Sequence, residues 1–119
     1  MLTNEREILV YYNEGSRSDR MTLAYAQSIV SHIKSYTFDK APSTTTSWQQ
    51  ILKALAIHPK DLLDKAHPYY QKNIRGRDFG DEDWLNVLKY NPELIKAPIA
   101  LRGDKAILCL TPTDIYRLI

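Results

Sequence analysis

The chain has 119 residues, 44% of them hydrophobic and 25% charged, with sixteen basic and fourteen acidic side chains. That size and balance fit one compact domain spanning 1–119, with no room for a second. A formal charge of +2 supplies no basic stripe for nucleic acid, and apolar runs such as 97–101 and 106–110 fall far short of the ~18 residues a membrane span needs, so neither is an expected partner. With a charged rather than signal-like N-terminus, the default is a soluble cytoplasmic protein. Cys109 is the single cysteine, which excludes an internal disulfide and a Cys-x-x-Cys switch.

Glu7 to Tyr12 is a short apolar run rich in strand formers, expected to be a central strand. Ser16-Arg17-Ser18-Asp19 matches a Ser-x-x-acid capping pattern, and Leu23, Ala26, Val30 and Ile33 recur at helical spacing, which predicts a helix over about 17–34. Ser35 to Asp39 follows as a second strand, so the first unit is a parallel strand-helix-strand crossover. After the polar connector 41–46, Ser47 with Gln50 predicts a capped helix beginning at Ser47 or Trp48.

Short helical pieces are expected from Pro59 to about Tyr70, with Pro59 and Pro68 in first turns, where proline is tolerated. Asn73 to Gly80 reads as a charged, solvated loop, although Arg75 and Arg77 also offer contacts to an acidic partner. Asp81-Glu82-Asp83 opens the next helix, whose buried side is Trp84, Leu85 and Leu88, and Asn91-Pro92 ends it. Pro98 to Leu101 and Lys105 to Leu110 form a hairpin around Arg102-Gly103-Asp104, and Thr111 or Thr113 caps a last helix. The order implies an α/β domain: a four-stranded mixed sheet flanked by helices, with a helical insertion over about 42–96.

Three stretches carry a resemblance to a known family. They are Tyr11-Tyr12-Asn13-Glu14-Gly15-Ser16-Arg17-Ser18-Asp19-Arg20, Leu55 to Leu63, and Asn91 to Ile99. In order, spacing and total length, from Glu7 to Ile119, the chain resembles the ArsC-type arsenate reductases and Spx proteins, which have a thioredoxin-like, glutaredoxin-related fold. Their first motif usually reads Tyr-x-Asn-Pro-x-Cys-Ser-x-Ser-Arg, so Tyr11, Asn13 and Arg20 match and Ser16 stands at the cysteine. The resemblance also makes Pro98 the family's proline with a cis peptide before it, beside the active-site loop.

In the family's reductases a low-pKa cysteine attacks the oxyanion, arginines neutralise its charge, and glutathione with glutaredoxin, or thioredoxin, completes the reduction. Ser16 cannot form the necessary disulfide, and its hydroxyl stays protonated at neutral pH with no base beside it in sequence. The family's arginine positions fall on Asp64, Ala97 and Leu110. The resemblance therefore implies a member inactive as an arsenate reductase, with a binding or regulatory role.

A loop of Asn13, Gly15, Ser16, Arg17, Ser18 and Arg20 at a helix N-terminus either retains an oxyanion or small anionic ligand or serves only as a helix cap. The Spx branch, which contacts RNA polymerase, makes a protein partner the other expectation. The rival is an oxidoreductase of the arsenate reductase or glutaredoxin-like type with altered chemistry at the Ser16 loop, or one using Cys109, which as part of an apolar strand reads as inert. No cofactor is implied. His32, His58 and His67 make no metal pattern and read as surface or helix-end residues, while Trp48, Trp84 and the eight tyrosines read as packing.

Overall fold

A computed structural model describes residues 6–40 and 44–118. Strand β1 (Ile8–Tyr12) leads into α1 (Arg17–Ile29) and then β2 (Ile33–Thr37). The insertion holds α2 (Thr45–Leu55), α3 (Pro68–Asn73) and α4 (Asp81–Tyr90) with short 3-10 turns between them. The hairpin β3 (Ile99–Arg102) and β4 (Lys105–Leu108) and a 3-10 helix, Pro112–Leu118, complete the chain. The four strands form one mixed sheet in the order β2-β1-β3-β4, with β1 parallel to β2 and antiparallel to β3.

The alternation of side chains along the inner strands divides the core in two. Ile8, Val10 and Ala100 face α1 and the last 3-10 helix, with Ala26, Cys109, Ile115 and Leu118. Tyr11, Ile99 and Leu101 face the helical insertion, where Trp48, Ile51, Leu62, Trp84 and Leu88 pack. The tryptophans are thus core residues, and Trp84 also meets Phe79 and His58 edge-on at 4.9 and 5.6 Å. No described helix is long and apolar enough to cross a membrane.

Several boundaries differ from the sequence expectation. Helix α1 stops at Ile29 rather than near Lys34, because Val30 turns extended and Ile33 enters the parallel ladder opposite Ile8. β-branched Val30 and Ile33 satisfy strand packing as readily as helical spacing, and the ladder prevails. Accordingly β2 runs from Ile33 to Thr37, not from Ser35 to Asp39. Helix α2 begins earlier than Ser47, since Thr44 caps it by accepting from the Ser47 amide at 3.2 Å. The last helix is 3-10, and its entry is held by the Asp114 carboxylate, which accepts from the Thr111 amide at 3.0 Å.

Every described peptide bond is trans, including the one before Pro98, contrary to the cis form implied by the resemblance. Trans is the lower form of an X-Pro bond by about 0.5–1 kcal/mol. Here Pro98 is fully buried, and its carbonyl accepts from the Cys109 amide at 2.8 Å, prolonging the hairpin ladder.

Helix α2 ends on Ala56 in the left-handed region, φ 55° and ψ 38°, where a Cβ is strained. Ala56→Gly is expected to raise stability by about 0.5–1 kcal/mol, the relief at a left-handed cap outweighing the added freedom of the unfolded chain. Urea melts of the two proteins check this.

Candidate functional site

The loop between β1 and α1 is built on Ser16. Its amide donates to the Asn13 carbonyl at 3.0 Å, closing the turn, and its hydroxyl accepts from the Asp19 amide at 3.2 Å, capping α1. Asp19 completes the cap in an unexpected direction. Because the Ser16 amide is already engaged, the Asp19 carboxylate accepts instead from the Asn13 amide at 2.8 Å. Asn13 in turn reaches out of the loop, its Nδ2 donating to the Ile95 carbonyl at 2.8 Å, 82 residues away in sequence. The motif is thus a cap whose two ends are pinned to each other and to the segment before β3.

Asp19 is only 2% exposed. Burial pushes its carboxyl above the usual aspartate range, while the Asn13 amide and the Ser16 side chain pull it back. Tyr11, the matching tyrosine, is buried against Phe38 and Tyr36, and burial first, then Tyr36, pushes its phenol up to about 12. It has no acid-base role near neutrality.

A cavity of about 520 Å³ opens in front of this loop. Asn13, Gly15, Ser16 and Asp19 form one side, and Asp64, His67, Glu93, Ile95 and Lys96 form the other. The far wall is held by a short antiparallel contact: Asp64 donates its amide to Leu94 O at 2.7 Å, Lys96 to Leu62 O at 2.9 Å, and Leu63 bridges Ile95. Three carboxylates therefore border the cavity against the ammonium of Lys96.

His67 is the histidine that lines the cavity with Ser16. Its Nδ1 accepts from the Tyr69 amide at 3.1 Å, capping α3 ahead of Pro68. An accepting Nδ1 leaves the neutral ring's proton on Nε2, so His67 offers the cavity a donor and no base. His58 makes the same cap ahead of Pro59, accepting from Lys60. Both are helix-end histidines, and among the described residues no three His, Cys, Asp or Glu side chains gather where they would hold a metal.

Of the residues expected at the site, Asn13, Gly15 and Ser16 line the cavity, whereas Arg17, Ser18 and Arg20 do not. Arg20 is turned back to Glu14, donating Nη1 to its carbonyl at 2.7 Å. Ser18 gives its carbonyl to the Thr22 hydroxyl. Pro98 lies three residues beyond Ile95, outside the lining. Of the three residues onto which the resemblance maps arginines, Asp64 borders the cavity, Ala97 is buried, and Leu110 is exposed.

Asp19, His67, Glu93 and Lys96 are cavity residues that the sequence reading did not assign to a site. For Asp19 the signal was present in Ser16-x-x-Asp19, whose acid had only to be followed inward. For His67 it was the histidine placed directly before Pro68.

Cys109 is 1% exposed, and burial first, then Asp114 and Asp19, pushes its thiol up to about 12 against the opposing Arg117. The folded protein should therefore resist iodoacetamide at pH 8 at least ~100-fold more than the urea-unfolded chain does, as a thiol some three pKa steps above the usual value would.

No family model matches the sequence, and no curated protein matches it significantly. Solved structures do. An arsenate reductase from Vibrio cholerae superposes with a TM-score of 0.81 at 16% identity, covering 98% of this chain and 100% of that one. A Yersinia pestis protein provisionally named an arsenate reductase gives 0.78 at 21% identity, over 92% and 98%. A Bacteroides fragilis protein provisionally named as ArsC family-related gives 0.77 at 12% identity, over 95% and 99%. With its mixed sheet, flanking helices and full-length overlap, the chain has the thioredoxin-like fold of ArsC-type arsenate reductases.

Proposed function

We propose that this protein does not reduce arsenate and works by binding. The observation that carries the reading is the Ser16–Asp19 cap. Where the resembling reductases place a thiolate, this chain has a hydroxyl that accepts from the Asp19 amide, and the Asp19 carboxylate lies under the same loop. No electrons can pass through that group, and an incoming oxyanion meets Asp19, Asp64 and Glu93. The His67 tautomer argues equally against a serine nucleophile, and the buried Cys109 against a displaced thiol site.

The test is arsenate reduction with glutathione and glutaredoxin, and separately with thioredoxin. The expected result is no turnover above a protein-free blank, and turnover in either system overturns the proposal.

A second reading, a residual anion site, is favoured by one observation. The cap leaves the amides of Arg17 and Ser18 without an acceptor among the described residues. Against it stand the three bordering carboxylates. Sulfate titration followed by the amide resonances of residues 13–19 separates the two, since a retained site moves those signals and saturates.

A further inference from the structure

We propose that the outward face of α1 is a docking surface for an acidic amphipathic helix of a partner protein. Along that face Met21, Ala24, Tyr25 and Ser28 line a groove of about 310 Å³. Met21 is 44% exposed, Tyr25 38% and Tyr116 45%, unusual openness for three large side chains grouped together. Tyr116, from the last 3-10 helix, meets Tyr25 edge-on at 6.3 Å and so extends the patch across two elements. Met21 to Ser28 spans two helical turns, ~10.5 Å, and Ala24 leaves a notch between larger neighbours into which a partner's side chain fits.

The charge around the groove selects the partner. The charged residues of α1 are Arg17, Asp19 and Arg20, and Asp19 is buried on the opposite side. Solvent therefore sees two guanidiniums and no carboxylate on this helix, with Arg17 one turn ahead of Met21 on the same stripe, while the 3-10 helix of Tyr116 adds the exposed Arg117 and the half-buried Asp114, whose carboxylate accepts from the Thr111 amide. The complement is a helix with an apolar stripe and carboxylates at the end that meets Arg17 and Arg20. A second copy of this chain does not supply it. Its acidic helix start, Asp81-Glu82-Asp83, belongs to α4, whose Trp84, Leu85 and Leu88 are turned into the core.

This inference extends the binding reading, and the arsenate assay tests that reading alone, so the two can fail separately. The probe is a synthetic helix of about fourteen residues, four turns, with leucines at i, i+3, i+4 and i+7 and glutamates elsewhere. It is titrated into 15N-labelled protein. Saturable shifts at residues 17–29 and 112–118 are expected, with affinity lowered about tenfold by Arg17→Glu and again by Met21→Glu. Both positions are exposed, and circular dichroism verifies that the variants fold.

A peptide with lysine in place of each glutamate should not bind. Equal binding of that peptide, shifts confined to the Ser16 cavity, or no shifts would overturn the proposal. So would binding of phosphatidylglycerol vesicles through this face in place of the peptide, or self-association through it in sedimentation.

Discussion

Replacing Ser16 with cysteine should create a thiol that titrates no lower than an ordinary cysteine, and adding Asp19→Ser should bring it down. A helix N-terminus normally lowers a thiol through its dipole and unsatisfied amides. Here the residue three positions on is a carboxylate held beneath the loop by the Asn13 amide, and a charge of the same sign opposes a thiolate. Burial raises Asp19, and it is the ionised form of that carboxyl that opposes a thiolate.

Removing it in the double variant should lower the pKa of the introduced thiol by about one to two units, each worth about tenfold in thiolate below the titration midpoint. Iodoacetamide rates from pH 5 to 10 measure it, and the buried Cys109 contributes little background. Neither variant should reduce arsenate at the rate of a full reductase site, because Asp64, Ala97 and Leu110 stand where the resemblance maps the reductases' arginines. A single variant with an already low thiol pKa would show that Asp19 does not govern the loop.

Much of the fold was legible because local and global demands agree. β1 is an apolar run, α4 carries its acids at the start, and the hairpin turns at Gly103, so the order of elements along the chain and the mixed sheet could be written from the sequence. The boundaries that misled were those where two periods coincide. Val30 and Ile33 suit a helix face and a strand equally, and only the pairing with β1 separates them.

The site was half legible. Ser16 and Asn13 could be placed by motif, since their neighbours are close in sequence. The far wall could not, because Asp64, His67, Glu93 and Lys96 reach Ser16 only through the pairing of 62–64 with 94–96, a contact with no periodic signature. The destination of the Asp19 carboxylate was hidden too. A capping box directs the acid to the cap residue's own amide, and only the turn closed by Asn13 O removes that amide from reach.

Asp19 should also govern stability, with a distinctive dependence on pH. Asp19→Ala removes the acceptor of the Asn13 amide in a buried setting and should cost about 1–3 kcal/mol. Asp19→Asn keeps an acceptor of the same shape and isolates the charge. The carboxyl is raised in the fold above its ordinary 3.8, so below about that pH both folded and unfolded chains hold the proton. As pH climbs, the unfolded chain ionises first and folding loses stability, until the pH passes the folded value and the loss is complete.

The asparagine variant has no such loss. Its stability relative to the parent should therefore improve as pH rises above about 3.8, until the raised carboxyl of the folded parent has itself ionised, with other groups cancelling in the difference. Urea melts at several pH values read this directly. A difference that stays flat, or moves in the parent's favour, would mean that the Asn13 and Ser16 bonds outweigh burial, and that the loop is built around a stabilised carboxylate rather than a tolerated one.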